Sequence, residues 1–184
     1  MVFSSSLFLS LFLPLLLVMY FLSPRCFRNV VLLSFSLAFY AWGEPHAVWI
    51  MVVLIVVNYI CSMLGGVFLF LGVVLDFGTL VFYKYLGFLV ENVNSLFHLV
   101  GVVDGLPVPD IALPIGISFY VFQLVSYLVD VSRKSVPVQR NPLHFMLYVS
   151  LFPQLIAGPI VRYSTILEDI ANRKLSLDNV QNGL

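Results

Sequence analysis

The sequence predicts an all-α, polytopic transmembrane helix bundle of about five to six spans, on three observations: the composition, the length of the apolar runs and the placement of the charges. Hydrophobic residues make up 61% of the 184 and charged residues only 10%, against about 45–50% and about 25% in a soluble domain. Water alone cannot wet such a surface, so an ordinary water-soluble enzyme and a disordered chain are both excluded. Nine Lys plus Arg balance nine Asp plus Glu, which leaves no basic field for nucleic acid.

The first apolar run is residues 7–22. It lacks the basic flank and the small-residue cleavage site of a signal peptide, and Pro24 and Arg25 before Cys26 do not fit a lipidation site. A retained helix is expected, kinked at Pro14. Residues 30–42 fall short of the roughly 20 residues that cross a bilayer, so this run spans only with its flanks or in a thinned bilayer. After the Gly43-Glu44-Pro45-His46 turn, residues 47–64 are long enough to cross. Gly65-Gly66 breaks the run before a fourth apolar stretch at 67–90. A polar connector, 91–110, is marked as loop by Gly101, Gly105, Pro107 and Pro109. Residues 111–131 form a fifth span and 143–163 a sixth, interrupted by Pro153 and by Gly158-Pro159. A polar tail, 164–184, closes the chain. Cys26 and Cys61 form neither a metal pattern nor a disulfide framework.

Arg25 and Arg28 lie between spans one and two, and Arg133, Lys134 and Arg140 between spans five and six. Both loops are therefore expected in the cytoplasm, with the N-terminus outside and at least five crossings. The opposite connectors carry Glu44, Glu91, Asp104 and Asp110 and no Lys or Arg.

Charge inside a bilayer costs at least about 2.5 kcal/mol, so polar residues in spans turn toward protein or a wet cavity. Gly72, Asp76, Thr79, Tyr83 and Gly87 share one helical face in span four. They read either as the polar lining of a substrate path or as a packing seam of small and polar residues. Lys84 lies two turns from Asp76 and about 80° round the helix, a poor direct partner; in the packing reading it snorkels to the interface among aromatic neighbours. Phe119, Gln123, Ser126 and Asp130 form a second stripe in span five, with Asp130 placed to pair with Arg133 or Lys134. Gln123 is the deeper group and the harder to assign to packing. Asn58, Cys61, Ser62 and Gly65 form a third seam. None of His46, His98 and His144 lies deep in a span beside a carboxylate or amide, the setting of a general base. No Walker loop, G-x-S-x-G or metal-spaced histidine pair occurs.

Three stretches, VFYKYLGF at 81–88, LPIGISFYVFQLVSYLVDV at 113–131 and FPQLIAGPIVRY at 152–163, together with the opening MVFSS, resemble the N-terminal part of the membrane-bound O-acyltransferase family, in its bacterial alginate O-acetylation branch. Relatives that carry D-alanine to teichoic acids are similar but less close. The resemblance implies a multi-pass enzyme of the bacterial inner membrane that moves an acyl group from a cytoplasmic donor, an acetyl thioester or acyl carrier, to a polysaccharide hydroxyl outside. No other cofactor is implied, and the partners are the lipid bilayer, the polysaccharide and other exopolysaccharide-acetylation proteins. A histidine base and buried oxyanion donors would do the chemistry. The family's essential histidine belongs to its C-terminal half, so no catalytic residue carries over.

The resemblance marks Lys84, Tyr85, Pro114, Gly116, Ser118, Phe119, Gln123, Phe152, Pro153, Gly158, Pro159 and Arg162 as motif residues, with Asp76 as a further candidate for the path lining. Pro114-Ile115-Gly116 and Gly158-Pro159 are expected to break or re-aim helices. Arg162 is suited to an acidic or phosphate-bearing group, or to anchoring a helix end at the headgroups. The Gly65-Gly66 junction replaces a longer charged segment usual in the family. These departures suggest a truncated or frameshifted product, inactive alone, or one completed by a separately encoded C-terminal half. The rival functions are a transporter or flippase component using Asp76, Lys84 and Asp130, and a noncatalytic membrane scaffold.

Overall fold

The computed structural model describes residues 6–99, 105–157 and 162–166, and all regular structure among them is helical. A π-helical turn, Phe8–Phe12, leads into α1 (Leu13–Leu22). Pro14 stands in the first turn of α1, so its missing N–H and its ring, which would clash with a carbonyl one turn back, are accommodated by the wider turn before it. A π turn thus stands just before Pro14. Helix α2 (Arg28–Gly43) reaches 16 residues by recruiting both flanks of its apolar run. Helix α3 (Ala47–Leu64) keeps the expected bounds and ends at Gly65 and Gly66, whose φ values of 69° and 54° are open to glycine and strained for other residues. This pair suffices for a tight helical hairpin.

Three expected boundaries are corrected. The fourth run is a 33-residue helical rod, Val67–Leu99, made of α4 (Val67–Leu80), a π turn at Val81–Tyr85 and α5 (Leu86–Leu99). Residues 91–99 are helical rather than loop because Leu89, Val93 and Leu96 prolong the apolar period beside Glu91, Asn92 and Ser95, while the glycines and prolines come later. Asn94 then grips the returning chain, its Oδ1 accepting from Leu106 N (2.7 Å) and its Nδ2 donating to Leu106 O (2.9 Å). Helix α6 (Ile117–Ser132) starts six residues into the expected fifth span, behind Pro114 and a left-handed Gly116.

The third correction concerns the expected sixth span. It is broken at Leu151 into α7 (Pro142–Ser150) and α8 (Phe152–Ala157). Asn141 caps α7, accepting from Leu143 N at 3.0 Å. Helix α8 then rises to the start of α6, where the Leu155 carbonyl lies 2.8 Å from the position of a Cβ on Gly116. Tyr163, eight residues later, meets Tyr127 edge to face, and Tyr127 is 11 residues further along α6, or about 16 Å at the helical rise. The chain has thus turned back toward the end it came from. Such a re-entrant path survives in apolar surroundings only when protein covers it, and Phe152, Leu155 and Tyr163 are all buried.

Two helices are long and apolar enough to cross a membrane, α3 and the Val67–Leu99 rod, while Phe8–Leu22 and α6 are apolar but shorter. The rod runs antiparallel to α6, because Lys84 is level with Ser118 and Gly72 with Leu128. Gly72 is what allows this approach: a Cβ there would stand 2.6 Å from Leu128 Cδ1 and 3.3 Å from Cys61 Cβ. Gly72→Ala is therefore expected to cost about 1–3 kcal/mol by overpacking. Gly78→Ala on the same helix, where a Cβ meets nothing within 4 Å, should gain up to about 1 kcal/mol of helix propensity. Thermal unfolding of the two variants in detergent checks the contrast, and equal melting temperatures would contradict it.

Candidate functional site

The LPIGISFY motif occupies one end of the bundle and is tied there by α2. Glu44 Oε2 accepts from Ile115 N at 3.0 Å, and Tyr40 donates its hydroxyl to Ile115 O at 2.8 Å. A carboxylate and a phenol from one helix turn thus satisfy both polar groups of a residue that neither helix nor sheet accommodates. Pro114 O accepts from Ile117 N and Gly116 O from Phe119 N and Tyr120 N, which starts α6 directly behind the break. Pro114 is buried and Gly116 half-buried against α8. Ser118 receives the Lys84 ammonium at 3.4 Å, and Lys84 also lies over the Tyr85 ring at 5.5 Å. The π turn at 81–85 carries both residues, and π turns inside α-helices are frequent at functional sites. Lys84, Tyr85 and Phe119 are exposed.

Deeper in the bundle, Asp76 does not meet Lys84. It is wholly buried against α3, where Asn58 Nδ2 donates to its Oδ1 at 2.7 Å and to Leu54 O at 2.9 Å. Asp76 Oδ2 and Asn58 Oδ1 are left without a hydrogen-bond partner. Two of the expected seams, Asn58 on α3 and Asp76 on α4, are therefore one contact. On α6, Gln123 is 1% exposed and its Oε1 is likewise unpartnered.

Sequence reasoning missed Tyr120 and Gln154. Tyr120 is 0% exposed, and its hydroxyl lies beside that of Tyr40. Gln154 on α8 has a buried, unpartnered Oε1. The available signal was positional: Tyr120 lies one turn from Gln123 on the same α6 face, and Gln154 stands inside FPQLIAGP.

The opposite end carries an aromatic cage. Tyr127, Phe145, Tyr148 and Tyr163 pack ring on ring at 4.7–6.5 Å. Gln139 laces them, its backbone N–H donating to Tyr127 OH at 2.9 Å and its side chain to Tyr163 OH. Tyr59 donates to Arg140 O at 2.6 Å, and Asn29 contacts His144 at 3.2 Å, so the loops holding the basic residues meet here. Asp130 forms no ion pair with Arg133 or Lys134. Its carbonyl instead accepts from Ser135 N and Oγ. Lys134, in the turn that follows α6, takes the left-handed conformation (φ 59°).

Phe152 is buried against Phe8, Phe12 and Phe39, and Pro153 is exposed. Arg162 is exposed beside Tyr163, while Gly158 and Pro159 lie outside the described residues. The site residues thus divide between the α6 start, the α3–α4 seam and the re-entrant segment. No group of three metal-ligating side chains occurs among the described residues.

No family model and no solved structure matches the chain. Among curated proteins it is 40% identical, over its whole length, to a probable alginate O-acetylase AlgI of Azotobacter vinelandii, of which it covers 38%. The corresponding Pseudomonas aeruginosa protein is 37% identical over the whole chain, which covers 37% of it. A peptidoglycan O-acetyltransferase of Helicobacter pylori is 28% identical, again over the whole chain, with 42% of that protein covered. The chain spans somewhat over a third of the length of these relatives. It is thus similar, from one end to the other, to proteins named as probable alginate O-acetylases.

Proposed function

We propose that the chain forms part of a membrane O-acetyltransferase that moves acetyl groups onto hydroxyls of a polysaccharide outside the cytoplasmic membrane. The observation that carries this is the whole-length similarity to proteins named for acetylating two different polysaccharides, alginate and peptidoglycan. The membrane reading rests on the apolar composition and the two membrane-length helices. In this reading α1, α2, α3, the Val67–Leu99 rod and α6 are five crossings with the N-terminus outside, and α7 and α8 dip in and return. The loops at the aromatic cage then face the cytoplasm, and the Glu44–Ile115 end faces the polymer.

The described chain offers no general base at depth. His46 and His98 are exposed, and His144 is engaged with Asn29 at the cytoplasmic end. It contributes a wall of the path, and the base that takes the hydroxyl proton comes from the rest of the protein. Expression of the 184-residue chain alone, in an alginate producer lacking its own acetylase, is expected to leave the polymer unacetylated. Co-expression with the remaining part of a relative should restore ester, read by proton NMR of the purified polymer. Acetylation by the chain alone would refute the assignment of the base to another part. A failure of every such combination in which both pieces reach the membrane would refute the acetyltransferase reading.

A further inference from the structure

Helix α5 runs past the bundle that covers α4. The Val67–Leu99 rod has 33 residues, about 50 Å at the helical rise, whereas the hydrocarbon of a bilayer is about 30 Å thick. Lys84 stands level with Ser118, the second residue of α6, so α5 continues beyond the helix that packs along α4. No residue of α5 is buried. Its last nine residues include Glu91, Asn92, Asn94, Ser95 and His98, a polarity at odds with hydrocarbon. In the proposed orientation α5 therefore stands on the outer side of the membrane.

Its side chains sort by face. At 100° per residue Leu86, Leu89, Val90, Val93, Leu96 and Phe97 fall in one sector about 120° wide, and the five polar residues fall outside it. The polar side is served: Asn94 holds Leu106 through two hydrogen bonds, while Asn92 and Ser95 bond back to Phe88 O and Glu91 O. The apolar side is open. Leu89, Val93 and Leu96 are 46%, 36% and 61% exposed. An ordered apolar stripe outside hydrocarbon marks an interaction surface.

Three features select the occupant. Glu91 and His98 are the only ionisable groups on α5, so no charged field steers a diffusing partner to the stripe. Three part-exposed aliphatic side chains also fall far short of the about 800 Å² per partner that a free-standing complex or a dimer buries. Finally, the relatives carry more than half of their length outside the part this chain matches. A segment anchored there docks at high effective concentration and needs only a small contact.

We propose that the apolar stripe of α5, through Leu89, Val93 and Leu96, seats an amphipathic segment of the remaining part of the acetyltransferase on the outer side of the membrane. This rests on the proposed function for the existence of that part, and it states where the two parts meet.

The test uses the chain co-expressed with the remaining part of the Azotobacter vinelandii relative, with a photo-reactive phenylalanine analogue in place of Leu96 or, for comparison, of Ser95. Irradiation of intact membranes should join the Leu96 probe to the remaining part, identified by the peptides of the adduct, and the Ser95 probe should not give that adduct. Leu96→Glu should lower co-purification of the two parts about tenfold, because docking would bury an unpaired carboxylate. It should leave the melting temperature of the chain alone unchanged, since Leu96 is exposed there. Ser95→Glu should leave both unchanged. A Leu96 adduct with lipid, with a second copy of the chain or with an unrelated protein would overturn the seat. So would no adduct, equal adducts at Leu96 and Ser95, or co-purification indifferent to Leu96→Glu. Should Leu96→Glu melt below wild type, the adduct decides alone. Acetylation of the polymer reads the other claim separately. An adduct at Leu96 in cells whose polymer stays unacetylated would keep the seat and remove the acetyltransferase reading, and acetylation without the adduct would do the reverse.

Discussion

Asn58→Leu is expected to destabilise the protein by about 2–4 kcal/mol, the largest single loss at the α3–α4 seam. The side chain of Asn58 supplies the described hydrogen bond to Asp76, at 2.7 Å. Its second bond, to Leu54 O, fixes the amide so that the donor points across the seam. Leucine is close in volume and would fill the space, so the loss would not come from a cavity. It would come from Asp76, wholly buried and already short of one partner, left with neither oxygen satisfied. Asp76→Asn keeps an acceptor oxygen for Asn58 Nδ2 and should cost far less. The double variant Asn58→Leu with Asp76→Leu should recover most of the loss, since two apolar groups of similar shape leave nothing unpaired. Unfolding of the four proteins in one detergent measures the coupling. Additive losses would mean that the pair is two independent packing residues.

Gly116→Ala carries two penalties at once and should cost about 2–5 kcal/mol. The residue has φ 77°, where a Cβ adds about 1–2 kcal/mol. That Cβ would also stand 2.8 Å from the Leu155 carbonyl, a backbone atom that cannot swing aside, adding about 1–3 kcal/mol. Gly116→Asn separates the two, because asparagine tolerates the left-handed conformation but still presents a Cβ. Equal losses in both variants would assign the requirement for glycine to the crossing with α8. A near-normal asparagine variant would assign it to the turn and would remove the close approach as a cause.

The helical class and the positions of most helices follow from composition and run length, because 61% hydrophobic residues in runs near 20 residues leave few other ways to satisfy the backbone in an apolar setting. Boundaries were less legible where a polarity change and a helix breaker did not coincide. Glu91 ends the apolar run, yet the helix continues to Leu99 because the nearest breakers lie beyond it. The turn back within residues 152–163 was also illegible. Phe152, Leu155 and Tyr163 are as apolar as any membrane span, and only contacts with Gly116 and Tyr127 show that the segment returns.

Within the site, periodicity placed Asp76 and Gln123 on interior faces, since a polar group in a span is costly anywhere else. Pairing lay beyond its reach: Asp76 with Asn58 rather than Lys84, Ile115 with Glu44 and Tyr40 across 71 and 75 positions. Helical period fixes the direction of a side chain about its own axis, whereas its partner depends on which helix lies opposite and at what height. That register came from Gly72, Gly116 and the glycine hairpin, where missing side chains let backbones close to distances no local pattern records.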